Sequence, residues 1–207
     1  MIELHTTPTA NGYRASIMLE ECGLEYRVRA YDLTKGDHLS AGHLALNPVG
    51  RVPTIVDEGV SGDRRAVVYG SQAILQYLAD KTGRFLPTDP VARAAAYTWA
   101  GVATSDLGPA YSGQFVFGAL LQEKIPTAIQ HFERLCLRML GALDTRLRDN
   151  RWLAGDEYTI ADMLAYPAAA VSAKRFPGDL DAFPSLARWA DEVGARPGVR
   201  RGMRVPA

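Results

Sequence analysis

The chain has 207 residues, 47% of them apolar and 22% charged, which suits an ordinary globular protein of one large domain or two modest ones. Its 23 basic residues offset 23 acidic ones, and a split at Thr82 gives 8 against 10 and then 15 against 13, so neither half is a polyelectrolyte suited to nucleic acid. Cys22 and Cys136 are the only cysteines and lack any zinc or CxxC spacing, which points to buried free thiols in a reducing compartment. No basic segment followed by an apolar core opens the sequence and no apolar run reaches membrane-spanning length, so the expected location is cytoplasmic, without a membrane partner.

Residues 2–6 read as a short strand that ends in the turn Thr6-Thr7-Pro8-Thr9-Ala10-Asn11-Gly12. Positions 13–22 carry Ile17, Met18 and Cys22 on one helical face, and Gly23 stops that helix. From Glu25 the period changes to two, with Tyr26, Val28 and Ala30 alternating with Arg27 and Arg29, as in a strand. A polar segment with Lys35, Gly36, Asp37 and His38 leads to a weak helix over 43–46 and then to Asn47-Pro48-Val49-Gly50-Arg51-Val52-Pro53. Thr54, Ile55 and Val56 form a short buried strand with Asp57 and Gly59 as stop signals. Pro53 cannot donate to a ladder, so it marks an edge, a bulge or a turn, and general X-Pro frequencies favour a trans bond. A turn-rich segment over 58–63 joins this strand to 66–69 as an antiparallel hairpin, and Ser71 opens a helix with Ile74, Tyr77 and Leu78 inward.

No strand pattern returns after residues 83–90. Long helices are predicted over 91–111 and 125–149, the second with Pro126 in its first turn. Between them, Tyr111-Ser112-Gly113-Gln114-Phe115-Val116-Phe117-Gly118 reads as an interruption by glycines. Thr159 is placed to cap a further helix, with Asp162 reaching back to it, Tyr158 and Met163 as a staple, and Pro167 bending the helix one turn later. A last helix begins at Phe183-Pro184 and includes Trp189, and the arginines 196, 200, 201 and 204 read as a solvated, frayed end. The predicted class is α+β: a thioredoxin-like β-α-β-α-β-β-α domain over 1–82, a linker over 83–90 and an all-α domain over 91–207.

Thr9-x-Asn11-Gly12, the stretch from Asn47 to Asp57, Ser71 with Ala73-Ile74, and Thr159-x-x-Asp162 stand in an order and at spacings that resemble the glutathione S-transferase family along essentially the full chain. The similarity is greatest to the bacterial Nu-type branch, glutathione-dependent disulfide-bond reductases also related to a fungal nitrogen regulator. The resemblance implies the GST fold, a homodimer, glutathione (GSH or GSSG) as cosubstrate, no metal, and a small-molecule electrophile or disulfide as second substrate. It further implies a cis Val52-Pro53 bond, with the Val52 backbone paired to the cysteinyl part of glutathione as a peptide pairs with a free strand edge.

The chemistry such an enzyme needs is a stabilised thiolate, since a free cysteine thiol ionises near ~8.5. The helix N-terminus after the first strand offers unpaired N–H groups and a positive dipole end, and Thr9 and Asn11 are the candidate donors to sulfur. Read without the resemblance, Thr9 is a turn residue and Asn11 a helix cap. The resemblance places His38 and Arg51 near the glycine carboxylate of glutathione, His38 only in the right tautomer, and Ser71 at the γ-glutamyl carboxylate. Where the family has an acidic residue before that serine, to take the γ-glutamyl ammonium, this chain has Gly70. Ser71 alone also reads as a simple N-cap. Tyr111, Phe115 and Phe117, with Trp152 or Tyr166, are candidate walls of a second-substrate pocket, although aromatics at helical spacing are commonly core.

The implied function is disulfide reduction, or attack on a small electrophile, by the glutathione thiolate. Two alternatives share the fold: a non-catalytic binding or structural homologue with weakened glutathione binding, for which Gly70 argues, and a glutathione-assisted isomerase.

Overall fold

In the computed structural model, which describes residues 1–61, 64–172 and 182–206, the first strand β1 (Ile2–Thr6) lies inside a four-stranded sheet of order β2-β1-β3-β4. β1 runs parallel to β2 (Tyr26–Ala30) and antiparallel to β3 (Thr54–Ser61), which pairs antiparallel with β4 (Arg64–Tyr69). Leu4 faces Val28 on one side and Ile55 on the other, and Ile55 in turn faces Val68. The strand predicted to stop at Val56 continues to Ser61, with an irregular register after Asp57. The extension is tied down at Asp57: Oδ1 accepts the Gly59 N–H, while Oδ2 accepts the Tyr77 hydroxyl and pairs with Lys81 Nζ at 2.7 Å. Asp57 is thus a buried, partnered strand residue and not a turn signal.

α1 (Ala10–Cys22) starts where Thr9, in an extended conformation, accepts the Gly12 N–H on its side chain, and stops at Gly23, which is left-handed at φ 66°. Thr9, not Asn11, is therefore the cap. A Cβ on Gly12 would collide with the Thr7 carbonyl, so only glycine lets the first helical turn sit this close to the end of β1. α2 (Ala41–Leu46) and α3 (Ser71–Thr82) complete the predicted order, and Ile17, Met18, Leu19, Ile74, Leu75 and Leu78 are fully buried with Leu4 and Ile55. Cys136 is buried as predicted, whereas Cys22 is only half-buried.

The chain divides into two compact units, Met1–Arg84 with Ala195–Ala207, and Phe85–Gly194. Residues from Ala195 on group with the first unit, and the arginine-rich end is neither frayed nor simply solvated. α9 (Pro197–Gly202) packs on α1: Ser16 Oγ donates to the Gly202 carbonyl at 2.7 Å, Arg196 forks onto Glu21 at 3.0 and 2.7 Å, and Arg201 Nε meets Glu20 at 2.6 Å. The helices touch backbone to backbone, since a Cβ on Gly202 would lie 2.5 Å from Ile17 Cα. Gly202→Ala should therefore cost about 1–3 kcal/mol of stability through overpacking, measured as a lower urea midpoint at an unchanged slope.

In the second unit, Asp89 caps α4 (Pro90–Gly101) by accepting the Val91 and Ala92 N–H groups. The helix does not break where glycines suggested it. It passes through a π-helical turn over Val102–Leu107 into α5 (Gly108–Phe115) and ends in another over Val116–Leu120. Gly113 has a packing role there: a Cβ would occupy the ring of Phe132, which belongs to α6 (Pro126–Arg148). The cap on α7 (Ile160–Tyr166) forms as predicted, with Thr159 and Asp162 bonded reciprocally, and from Pro167 the helix loosens into π-helical turns over Pro167–Ser172. α8 (Pro184–Ala195) buries Trp189. Among the described residues, no helix is long and apolar enough to cross a membrane.

Candidate functional site

The register of the sheet gathers the predicted residues at one end of it. Thr54 pairs with His5 in β1 and with Tyr69 in β4, so the end of β1, the head of β3 and the end of β4 lie side by side. The segments leaving these strand ends are Thr7 to Asn11, Arg51 to Pro53, and Gly70 to Ser71. The Gly70 N–H meets the Pro53 carbonyl at 3.4 Å and closes the group.

The Val52-Pro53 bond is cis, as the resemblance implied and against the general frequency of X-Pro bonds. Two residues absent from the predicted site hold the loop before it. Asn47 Nδ2 donates to the Arg51 carbonyl at 2.7 Å and to Thr54 Oγ1 at 3.2 Å, while Asn47 Oδ1 accepts the Val49 N–H. His43 Nε2 lies 3.0 Å from the same Arg51 carbonyl, and because a carbonyl only accepts, Nε2 carries the proton. With that carbonyl fixed from two sides, the peptide leading into Val52 has one orientation. His38 sits in a 3₁₀ turn over Asp37–Leu39 whose backbone approaches Gly50, the residue before Arg51. His38 Nδ1 is enclosed without a hydrogen-bond partner, which leaves Nε2 as the nitrogen able to donate outward. The Arg51 side chain is exposed.

At the other two segments the donors are well defined. Thr9 Oγ1 accepts from the Gly12 N–H at 3.2 Å, which leaves its own hydroxyl proton for another acceptor. Asn11, exposed in the first turn of α1, accepts on Oδ1 from Arg14 Nη1 at 2.6 Å. The same Nη1 donates to Ser71 Oγ at 3.3 Å. Ser71 is the first residue of α3 and the cap is Gly70, so the simple N-cap reading of Ser71 does not hold. Arg14 lies outside the predicted site, although the sequence carries a signal for it: an arginine three and four residues before Ile17 and Met18 lies on the inward face of α1. Its burial pulls the guanidinium pKa down to about 10, so it stays charged at neutral pH.

Gly70 has φ 83° and ψ 124°, a conformation that strains any residue with a Cβ, and a Cβ built there meets nothing within 4 Å. Neither cysteine offers a protein thiolate, since burial raises the Cys22 pKa and pushes Cys136 up to about 11. Within the second unit the three predicted aromatics differ: Tyr111 is buried, Phe115 is exposed, and Phe117 stacks on Phe132 at 5.5 Å. Trp152 packs edge-on against Tyr158 and Tyr166 against Trp189, as core residues do. Among the described residues, no group of three or more His, Cys, Asp or Glu side chains could hold a metal ion.

Residues 10–81 match the family described as glutathione S-transferase, N-terminal domain, and residues 122–197 match glutathione S-transferase, C-terminal domain. The chain belongs to the glutathione S-transferase family. It is 33% identical over 205 residues to the disulfide-bond oxidoreductase YfcG of Escherichia coli, covering 98% of this chain and 94% of that protein. Among solved structures it is similar to a glutathione transferase family member from Pseudomonas fluorescens with two glutathiones bound, at TM-score 0.93 and 31% identity, covering 99% of this chain and 93% of that one. It is likewise similar to a glutathione transferase from Pseudomonas putida with one glutathione disulfide bound per subunit, at TM-score 0.94 and 29% identity, covering 100% and 92%. Both domains of the GST fold, the mixed four-stranded sheet with its helices and the helical domain, are thus present in this chain.

Proposed function

We propose that this GST is a glutathione-dependent enzyme that reduces small disulfides, or attacks a small electrophile, with the glutathione thiolate. The observation that carries the reading is the pair of oriented donors at the start of α1, the Thr9 hydroxyl and the Asn11 amide, beside the N–H groups of a helix N-terminus. A relative named as a disulfide-bond oxidoreductase, and other proteins of similar structure solved with glutathione or its disulfide, support the reading. In this reading the Val52 backbone holds the cysteinyl unit, His38 and Arg51 serve the glycine carboxylate, Ser71 serves the γ-glutamyl carboxylate, and Tyr111, Phe115 and Phe117 face the second substrate. A homodimer in the cytoplasm belongs to the same proposal.

The reaction balances without a protein thiol. One glutathione thiolate attacks the substrate disulfide, forming a glutathione mixed disulfide and expelling one substrate thiolate. A second glutathione thiolate attacks the glutathione sulfur of that intermediate, giving glutathione disulfide and the other thiolate, and two protons equilibrate with solvent. The enzyme's part is to keep the attacking sulfur ionised and aligned.

Asn11→Ala should raise the pH midpoint of the bound thiol by about one to two units, because a hydrogen bond to a charged group is worth roughly 1.5–3 kcal/mol. The affinity measured below that midpoint, where the bound thiol is neutral, should not change, since only the anion gains from the bond. An unmoved pH profile would return Asn11 to a role in the helix alone. The non-catalytic alternative draws on Gly70 and predicts a folded protein without turnover on any glutathione-dependent substrate.

A further inference from the structure

Only 2% of Arg14 is exposed, and one of its nitrogens bonds two side chains from different helices, Asn11 of α1 and Ser71 of α3. Guanidinium has donors and no acceptor. Its bond to Asn11 therefore fixes the amide with oxygen toward Arg14 and leaves Nδ2 as the outward group. Its bond to Ser71 takes a lone pair of the hydroxyl and leaves the O–H proton to point elsewhere. Thr9 repeats the arrangement independently, since its oxygen is occupied by the Gly12 N–H. Three side chains at the N-termini of α1 and α3 are thus left with donors to offer.

We propose that Arg14 is a positioning residue which, by satisfying the acceptor atoms of Asn11 and Ser71 together, turns both into outward donors and selects a ligand that carries two anionic groups, one over each helix. The inference rests on the glutathione reading and deepens it: the thiolate lies over α1 and the γ-glutamyl carboxylate over α3. Because one nitrogen serves both side chains, the two anionic groups of the ligand are coupled, and removing Arg14 disturbs both. An arginine that merely joined α1 to α3 would alter stability without altering ionisation of the bound thiol.

The test titrates wild type, Arg14→Met, Arg14→Lys and Asn11→Asp with glutathione and with S-methylglutathione, whose sulfur cannot ionise. The pH midpoint of the bound thiol is read from thiolate absorbance. Arg14→Met should raise that midpoint by about one unit and weaken S-methylglutathione about tenfold, the size of one lost charge-assisted bond. Arg14→Lys, which keeps the charge and several N–H donors, should stay close to wild type in both. Asn11→Asp keeps the acceptor that Arg14 needs but replaces the outward donor with an acceptor, so it should fold and still raise the midpoint, whether or not Arg14→Met folds. Combining Arg14→Met with Ser71→Ala should weaken S-methylglutathione no further than the worse single change. A wild type that binds neither compound removes the glutathione reading and this inference with it. A wild type that binds both, with the midpoint unmoved in Asn11→Asp or in folded Arg14→Met, overturns the inference alone.

Discussion

Asp162→Ala should lower the stability of the protein by about 3 kcal/mol or more, a large fraction of the roughly 5–15 kcal/mol that holds a typical domain folded. The carboxylate is fully buried and works with both oxygens. Oδ1 accepts the Leu153 N–H at 3.0 Å and the Trp189 indole N–H at 2.8 Å, and Oδ2 accepts the Thr159 N–H at 2.9 Å. Alanine would strand these three buried N–H groups at once, at about 1–3 kcal/mol each, and would also remove the acceptor of the Thr159 hydroxyl. An asparagine in place of the acid would keep an acceptor for two of them and turn an N–H₂ against the third, so Asp162→Asn should lie between. Denaturant unfolding followed by tryptophan fluorescence reads this directly, because Trp189 is one of the donors. A loss below about 1 kcal/mol for Asp162→Ala would mean that water or rearranged backbone satisfies these groups.

Gly70→Glu should trade stability for affinity. If glutathione binds in the family pose, its ammonium lacks a carboxylate here, and a bond to such a group is worth roughly 1.5–3 kcal/mol, or about ten- to a hundredfold in affinity. Space permits the change, since a Cβ at Gly70 meets nothing within 4 Å. The backbone opposes it: at φ 83° and ψ 124° a glutamate carries strain of the order of 1–3 kcal/mol. Calorimetric titration with glutathione and its disulfide, beside thermal unfolding of the free proteins, should show tighter binding on a less stable fold. Tight binding by wild type with no gain in the variant would place the ammonium partner elsewhere.

What the sequence shows and what it hides divide along physical lines. The Thr159–Asp162 cap, the proline at the head of β3 and the closing glycine of α1 are legible because each follows a local rule that acts within a few residues of chain. Arg14 is hidden because its meaning depends on Ser71, which the fold alone brings to it. Gly113 reads in the sequence as a breaker because its actual constraint, the Phe132 ring, comes from another helix. The charged end misleads for the same reason: Arg196 and Arg201 look solvated until Glu21 and Glu20 of α1 are placed beside them. Asn11 lies between these cases, its type visible at once and the orientation of its amide set only by Arg14.

In the proposed mechanism glutathione supplies the thiolate and the chain supplies only the donors that hold it. The most direct measurement is steady-state reduction of a small mixed disulfide by glutathione, coupled to glutathione reductase, with wild type and with a variant carrying Cys22→Ala and Cys136→Ala. The predicted result is turnover that consumes two glutathiones per disulfide and survives in the cysteine-free protein, since neither thiol ionises readily. Absence of turnover by the folded wild type, or its loss in a folded cysteine-free variant, would contradict that mechanism.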